Sequence, residues 1–157
     1  MNGISTFLWF ADEAEAAADF YVSVFPNSKV TSVSRLGDPV DGVQAPAMIV
    51  TFELDGREFT ALNGGPVYSF TPAISFVVSC EGQAEVDEFW GLLSEGGREG
   101  QCGWLTDRFG VSWQVVPTAL ASFIGGDDPA GAARAMRAML QMRKLDIEGL
   151  SAAYHSA

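Results

Sequence analysis

The feature that most constrains this 157-residue chain is an internal repeat. Asp19-Phe20-Tyr21 in one predicted amphipathic helix is matched, 69 residues later, by Glu88-Phe89-Trp90 in a second. Each helix follows an apolar, strand-like segment and precedes further strand-like segments, so the order strand–helix–strand–strand–strand occurs twice. Chance similarity between two short amphipathic helices is the alternative explanation. The repeat predicts an α+β fold made of two tandem βαβββ modules.

Predicted elements fall in both copies of this module, with four strands delimited in the first copy and three in the second. In the first copy, Asp12 and Glu15 have the spacing of a capping box and predict the start of a helix over 13–24. Asp55-Gly56 lies between two alternating apolar segments and predicts a hairpin. The first copy has predicted strands at 4–10, 29–36, 47–54 and 57–63 and a Gly/Pro-rich loop at 37–46. The second copy has predicted strands at 72–79, 98–105 and 111–116 and a helix at 83–94.

Residues 118–157 lie outside the repeat. Asp128 followed by Pro129 predicts the start of a helix over 129–144, and a last helix is predicted over 146–154. The predicted apolar stripe of the longer helix comprises Ala132, Met136, Met139, Leu140 and Arg143. The expected organisation is one domain at 1–126, made of modules 1–66 and 67–126, and a helical extension at 127–157.

Composition excludes several classes of protein. The net charge of −11 argues against a nucleic-acid partner, because an acidic chain repels phosphates. No apolar run approaches the length of a membrane-spanning helix, and the N-terminus lacks the basic segment of a signal peptide. Cys80 and Cys102 have neither a metal-binding nor a disulfide spacing. We therefore expect a cytoplasmic protein with reduced thiols and no membrane partner.

The doubled module carries a family resemblance. Phe20-Tyr21 near the end of the first helix and Asp107-x-x-Gly110 before the last strand resemble the vicinal oxygen chelate superfamily of glyoxalase I, extradiol dioxygenases and bleomycin-resistance proteins. The resemblance covers residues 2–147 and implies glyoxalase-like half-barrels that hold ligands inside. The chain is most similar to the PhnB-like subgroup, often labelled 3-demethylubiquinone-9 3-methyltransferase, in the strings FLWF, FYVSVF, VTFELDGREF, ALNGGP, AISFVV and EGGREGQCGWLTDRFGVSWQVVPT.

The resemblance also implies where a metal would be bound. Metal-binding members place one ligand on the first strand and one on the last strand of each module, and these positions fall on Ser5, Asn63, Ala73 and Gln114. None is an imidazole, a thiolate or a carboxylate, which a catalytic divalent metal requires. The single histidine, His155, lies near the C-terminus and is expected to be solvated. We therefore expect no metal and no cofactor.

A small-molecule pocket is the remaining expectation, because the strand faces combine aromatic and small apolar side chains with amides and hydroxyls. The alternative is that these side chains fill the core. Neither cysteine has a histidine to activate it, so no catalytic residue is assigned. The expected pocket residues are Ser5, Phe7, Trp9, Ala61, Asn63, Ser75, Cys102, Trp104 and Gln114.

The predicted function is a metal-free protein that binds a small organic ligand. The alternatives are a glyoxalase- or dioxygenase-type enzyme that uses non-standard ligands or no metal, and the methyltransferase of the subgroup label. A homodimer is expected because superfamily members commonly dimerise. Its basis in the sequence is charge: residues 127–157 hold four of the nine bases and are neutral overall, so their helix could clamp over an acidic partner subunit.

Overall fold

The computed structural model describes residues 3–38 and 45–156. The chain divides into two compact units, Met1–Phe70 and Thr71–Ala157. Of the predicted Gly/Pro-rich loop, residues 39–44 lie outside the described residues. No helix in the described part of the chain is long and apolar enough to cross a membrane.

The Met1–Phe70 unit is a mixed sheet with one helix packed on it. Its elements are β1 (Thr6–Phe10), α1 (Ala14–Val24), β2 (Lys29–Arg35), β3 (Ala47–Leu54) and β4 (Arg57–Asn63). The strand order is β1-β4-β3-β2, in which β1 runs parallel to β4 and the other neighbours are antiparallel. The predicted Asp55-Gly56 hairpin joins β3 to β4, and Asp55 adopts a left-handed φ of 47° there.

The Thr71–Ala157 unit repeats this arrangement and adds the C-terminal helices. Its elements are β5 (Phe76–Cys80), α2 (Gln83–Ser94), β6 (Arg98–Glu99), β7 (Trp104–Thr106), β8 (Ser112–Pro117), α3 (Leu120–Ile124), α4 (Pro129–Met139) and α5 (Ile147–His155). The strand order is β5-β8-β7-β6, with β5 parallel to β8. The two sheets share one topology, so the predicted α+β fold of tandem βαβββ modules with a helical tail is confirmed.

One predicted strand is divided in two. The segment 98–105 forms the separate strands β6 and β7, because a turn interrupts it. Cys102 and Gly103 in this turn both have positive φ values, 57° and 83°, which a continuous strand does not allow. The backbone N–H groups of these two residues donate to the Met142 and Arg143 carbonyls, so the turn is fastened to the C-terminal segment.

Each unit has its own apolar core between helix and sheet. In the first unit α1 packs on β3 and β4, and Tyr21, Phe52 and Phe59 form a stack of rings in which Phe52 is fully buried. In the second, Val86 and Leu93 of α2 are buried on the side of the sheet that carries Val115. The repeated Phe20-Tyr21 and Phe89-Trp90 motifs thus mark the helices that cover the two sheets.

The tail differs from its prediction in which side of α4 is buried. Gly131 and Ala135 are the buried positions, whereas the expected stripe residues Met136 and Leu140 are exposed. The reason is close packing, since a Cβ at Gly131 would contact the backbone and ring of Tyr154 on α5. The predicted Asp128 cap is confirmed, because its carboxylate accepts a hydrogen bond from the Ala130 N–H at 3.0 Å.

Candidate functional site

Each sheet has a helix face, covered by α1 or α2, and an opposite face that we call the open face. Strand residues alternate between the two. On β1, Leu8 and Phe10 are buried on the helix face, whereas Phe7 is 60% exposed on the open face. On β5, Val77 of the open face is likewise 57% exposed. The helices leave these apolar side chains uncovered, and exposed apolar surface on a sheet face can form a binding surface.

The open face of the first unit contains two of its predicted pocket residues, Phe7 and Trp9. The Trp9 indole N–H donates to the Gly65 carbonyl at 2.9 Å, and the Trp9 ring meets Tyr68 edge-on with centroids 5.1 Å apart. Gly64 lies against the same ring and leaves no room for a Cβ. Trp9 is therefore held in place by the segment that follows β4. Ser5 precedes β1 and is exposed.

Ala61 and Asn63 do not share this face, and the expectation that they line one wall with Phe7 and Trp9 is wrong. In the parallel pairing of β1 with β4, Phe7 is opposite Thr60 and Trp9 is opposite Leu62. Ala61 is therefore on the helix face, where it is fully buried. The sequence left this open because both faces of β1 and of β4 carry apolar side chains.

Asn63 has a structural role on the helix face. Its Oδ1 accepts a hydrogen bond from the Ala14 N–H at 2.7 Å, and its Nδ2 donates to the Ala47 carbonyl at 3.0 Å. Its amide thus caps the first turn of α1, where the sequence predicted an Asp12–Glu15 capping box; the residue at the cap position is Glu13, which makes no side-chain cap. A cap supplied from 49 residues away leaves no local sequence pattern.

The second unit brings its predicted strand residues together. Gln114 lies opposite Trp104 on one side and Val77 on the other, so all three share the open face. The Gln114 Nε2 donates to the Ser75 Oγ at 2.9 Å. This bond fixes the amide with its Oε1 as the unused acceptor. The counterpart of Gln114 in the first unit is Thr60, since Phe7–Thr60 and Val77–Gln114 are equivalent strand pairs.

Three of the four tryptophan indole N–H groups are used in hydrogen bonds within the fold. The indole N–H groups of Trp9, Trp90 and Trp113 donate to Gly65, Glu99 and Asp107, respectively. The Trp104 indole N–H has no hydrogen-bond partner among the described residues, and it is not sealed from solvent. Trp104, whose N–H donor is unused, is therefore the cross-strand neighbour of Gln114, whose Oε1 acceptor is unused among the described residues.

The two cysteines differ in environment. Burial, reinforced by the nearby Glu85 charge, raises the pKa of the Cys80 thiol to about 11, so Cys80 is an inert core residue at neutral pH. Cys102 is half-buried in the turn before β7 and not on the strand face itself. Cys102 is two residues from Trp104 in sequence, but it is not part of the paired strands that hold Trp104 and Gln114.

The positions at which the superfamily binds metals do not fit a divalent cation here. Ser5 and Ala73 are exposed and precede their strands, and both amide groups of Asn63 are engaged. Taking Thr60 in place of Asn63 adds a hydroxyl and no carboxylate. Across the described residues, no group of three His, Cys, Asp or Glu side chains is placed to hold a metal.

A separate cleft of about 590 Å³ lies on the tail side of the second unit. Gln83, one of its walls, already donates to the Leu145 carbonyl and accepts from the Ile147 N–H. None of the predicted pocket residues contributes to this cleft. It is lined by Gln83, Phe123, Ile147, Glu148, Ser151 and Ala152.

Comparison with known proteins gives one family and several similar structures. Residues 2–116 match the family described as 3-demethylubiquinone-9 3-methyltransferase. A Bacillus cereus structure described as 3-demethylubiquinone-9 3-methyltransferase and PhnB protein is 34% identical, with a TM-score of 0.67 over 74% of this chain and 100% of its own. A search of curated proteins finds no match.

Two more distant structures share the fold. A Pseudomonas aeruginosa protein is 21% identical, with a TM-score of 0.62 over 74% of this chain and 98% of its own. The Listeria monocytogenes fosfomycin resistance protein FosX, solved with Mn(II) and sulfate, is 15% identical, with a TM-score of 0.51 over 77% of this chain and 94% of its own. At these identities the likeness extends to the fold alone.

Proposed function

This chain belongs to the PhnB-like family described as 3-demethylubiquinone-9 3-methyltransferase, in the vicinal oxygen chelate superfamily, and we propose that it binds a small organic molecule without a metal, on the open face of the Thr71–Ala157 sheet. The observation that carries the proposal is the Trp104–Gln114 pair. An indole N–H and an amide C=O, both free of partners among the described residues, stand side by side on an otherwise apolar strand row. Apolar walls with a few fixed polar groups are typical of small-molecule sites.

The surroundings support this assignment. Val77, 57% exposed, continues the row on β5 and offers an apolar surface to a flat ligand. On the other side, the Gly100 N–H donates to the Trp104 carbonyl at 2.8 Å, and a Cβ at Gly100 would press on the Trp104 backbone. Ser75, which immediately precedes β5, holds the Gln114 amide and so reduces the conformational entropy lost on binding.

The methyltransferase label implies a methyl donor such as adenosylmethionine, and the residues do not fit the usual site for one. Such cofactors bind where a Gly-rich turn joins a parallel strand to a helix in a doubly wound sheet. Here β1 is joined to α1 by Ala11-Asp12-Glu13 and β5 to α2 by Glu81-Gly82, so neither connection is Gly-rich, and each of these strands has one parallel neighbour among the described strands. We derive no methyl-transfer step from this site.

Binding of benzamide tests the proposal, since its carbonyl complements the Trp104 N–H and its amide N–H complements the Gln114 Oε1. Trp104→Phe, which keeps a ring but deletes the donor, and Gln114→Leu are each expected to weaken binding about threefold to tenfold, the worth of one neutral hydrogen bond. The affinities are measured by titrating the full chain with benzamide and following the NMR chemical-shift changes.

The matched control is Gln101→Leu, which removes an exposed amide from the preceding turn and is expected to leave affinity unchanged. Equal affinities for wild type, Trp104→Phe and Gln114→Leu would show that the pair is not a binding site. Non-saturable shifts with benzamide and with other aromatic amides would do the same.

We also propose that the chain forms a homodimer, through exposed apolar side chains of the tail and not through its basic residues. Three of the four tail bases are engaged within their own unit: Arg134 with Asp128 and the end of α5, Arg143 with Glu99, and Lys144 with Asp87. Lys144, followed by Gln83, holds the pKa of Asp87 below its usual range. Most of the tail's positive charge is thus used within its own unit, and the exposed Met136 and Leu140 are what support a partner copy. Light scattering of the purified chain measures its mass.

A further inference from the structure

We propose that the ligand of this site is an organic anion, a carboxylate or phosphonate attached to a flat apolar body, whose charged group is bound by Arg98. The inference rests on the proposed function, because it concerns the same open face of the Thr71–Ala157 sheet. It comes from a row of side chains that the pocket predicted from the sequence did not include.

The row lies next to the Trp104–Gln114 row. Strand pairing sets Arg98 opposite Thr106 and Thr106 opposite Ser112. Across the sheet this gives two hydroxyls in line and a guanidinium at the edge. The Thr106 and Ser112 hydroxyls have no hydrogen-bond partner among the described residues. Hydroxyl and guanidinium donors together are the usual ligands of a carboxylate or phosphonate.

Arg98 is available in a way that most cations of this chain are not. Six of the nine Lys and Arg side chains form ion pairs, while Arg57, Arg98 and Arg137 form none among the described residues. Of these three, only Arg98 lies on an open sheet face, since Arg57 pairs with the buried Leu54 and Arg137 is on α4. An unpaired guanidinium in a chain of net charge −11 is therefore placed on the face where the other binding groups are.

The charges nearby favour an anion on this face and not on the other sheet. No Asp or Glu lies on the described strands of the second unit's open face, because Glu99 pairs with the buried Leu105 and bonds to Trp90 on the helix side. The open face of the first unit instead carries Glu53 directly opposite Glu58, and among the described residues only Lys29 forms an ion pair with either of them. An anion would be repelled there.

The spacing of the two rows fixes the shape of the ligand. Thr106 and Trp104 are two residues apart on β7, about 7 Å along the strand. One substituted aromatic ring spans that distance, with its anionic group at Arg98 and Thr106 and its ring over Trp104 and Gln114. An acceptor on the far side of the ring would meet the Trp104 N–H.

Paired titrations of the full chain with benzoate, phenylphosphonate and neutral benzamide test the inference, with inorganic phosphate as the anion lacking a ring. We expect benzoate or phenylphosphonate to bind about tenfold more tightly than benzamide, the difference made by one charge-assisted hydrogen bond. Whichever of the two binds more tightly identifies the charged group. Arg98→Gln should remove this preference and leave benzamide affinity unchanged. Arg57→Gln makes the same change of net charge on the other unit and should have no effect.

Equal affinity for benzamide and both anions would overturn the inference while leaving the proposed function intact. Equal weakening by Arg98→Gln and Arg57→Gln would also overturn it, because the effect would then come from net charge. Inorganic phosphate binding as tightly as phenylphosphonate would contradict the role of the ring. Benzamide binding unaffected by Trp104→Phe, together with Arg98-dependent binding of benzoate, would instead refute the proposed pair and retain the anion site.

Discussion

Replacing Phe52 with alanine is expected to lower the free energy of unfolding by about 3–5 kcal/mol, the range for an aromatic residue removed from a core. Phe52 has no exposed surface, and its ring stacks on Phe59 with centroids 5.4 Å apart and an interplanar angle of 17°. On its other side it faces Tyr21 of α1 at 6.3 Å. The substitution therefore removes the central ring of the stack that joins helix to sheet. Thermal unfolding followed by circular dichroism should show a Tm lower by roughly 10 °C or more.

The matched control is Phe7→Ala on β1 of the same sheet. Phe7 is 60% exposed on the open face, so its truncation should change the free energy of unfolding by less than about 1 kcal/mol. The pair separates a phenylalanine that holds the fold from one that the fold leaves on its surface. A loss with Phe7→Ala as large as that with Phe52→Ala would mean that the open face is a structural core.

Asp107→Ala is expected to cost at least about 3 kcal/mol, although it removes only a small polar side chain. The buried carboxylate accepts hydrogen bonds from the Phe109 N–H at 2.8 Å, the Val111 N–H at 3.0 Å and the Trp113 indole N–H at 2.8 Å. Alanine leaves these donors without their acceptor, the Val111 and Trp113 donors in a buried region, and bonds to a charged acceptor are the costly ones to lose. Urea unfolding monitored by tryptophan fluorescence measures the change.

Asp127→Ala is the control for the charge alone, because Asp127 is exposed and should tolerate the change within about 0.5 kcal/mol. Asp107→Asn keeps one acceptor oxygen and is expected to fall between the two. If Asp107→Ala were as stable as Asp127→Ala, the hydrogen bonds to the turn and to Trp113 would contribute nothing to the fold.

The position of Asp107 shows both the reach and the limit of sequence reasoning. The Asp107-x-x-Gly110 motif correctly predicted a turn before the last strand, since Asp and Gly at this spacing favour turns locally. That the second carboxylate oxygen would hold the Trp113 indole was not visible in the spacing. The same division holds for Asn63, which was assigned to the pocket but whose amide is used to cap α1.

The Thr71–Ala157 face was predicted more successfully than the Met1–Phe70 face. Ser75, Trp104 and Gln114 are all predicted pocket residues; strand pairing places Trp104 opposite Gln114, and the Gln114 amide donates to Ser75. Arg98 is not among the predicted pocket residues, because one continuous strand over 98–105 does not predict the turn that pairs Arg98 with Thr106. A glycine pair, Gly96-Gly97, followed by the Gly100-to-Gly103 turn, could have indicated a short edge strand with Arg98 at its start.

What the sequence by itself determined is the doubled module, most of its strands and helices, and the family. These follow from local rules: the period of two in strands, the period of 3.6 in helices and the turn chemistry of Asp-Gly. What only the tertiary structure decided is which face of each strand the helix covers, and which polar groups remain unused once the chain has folded. Alternation says that Phe7 and Trp9 share a side, but the side is chosen by the packing of α1 on β3 and β4. That the Trp104 N–H and the Arg98 guanidinium have no partner among the described residues likewise emerges only once the chain has folded and its other polar groups are paired.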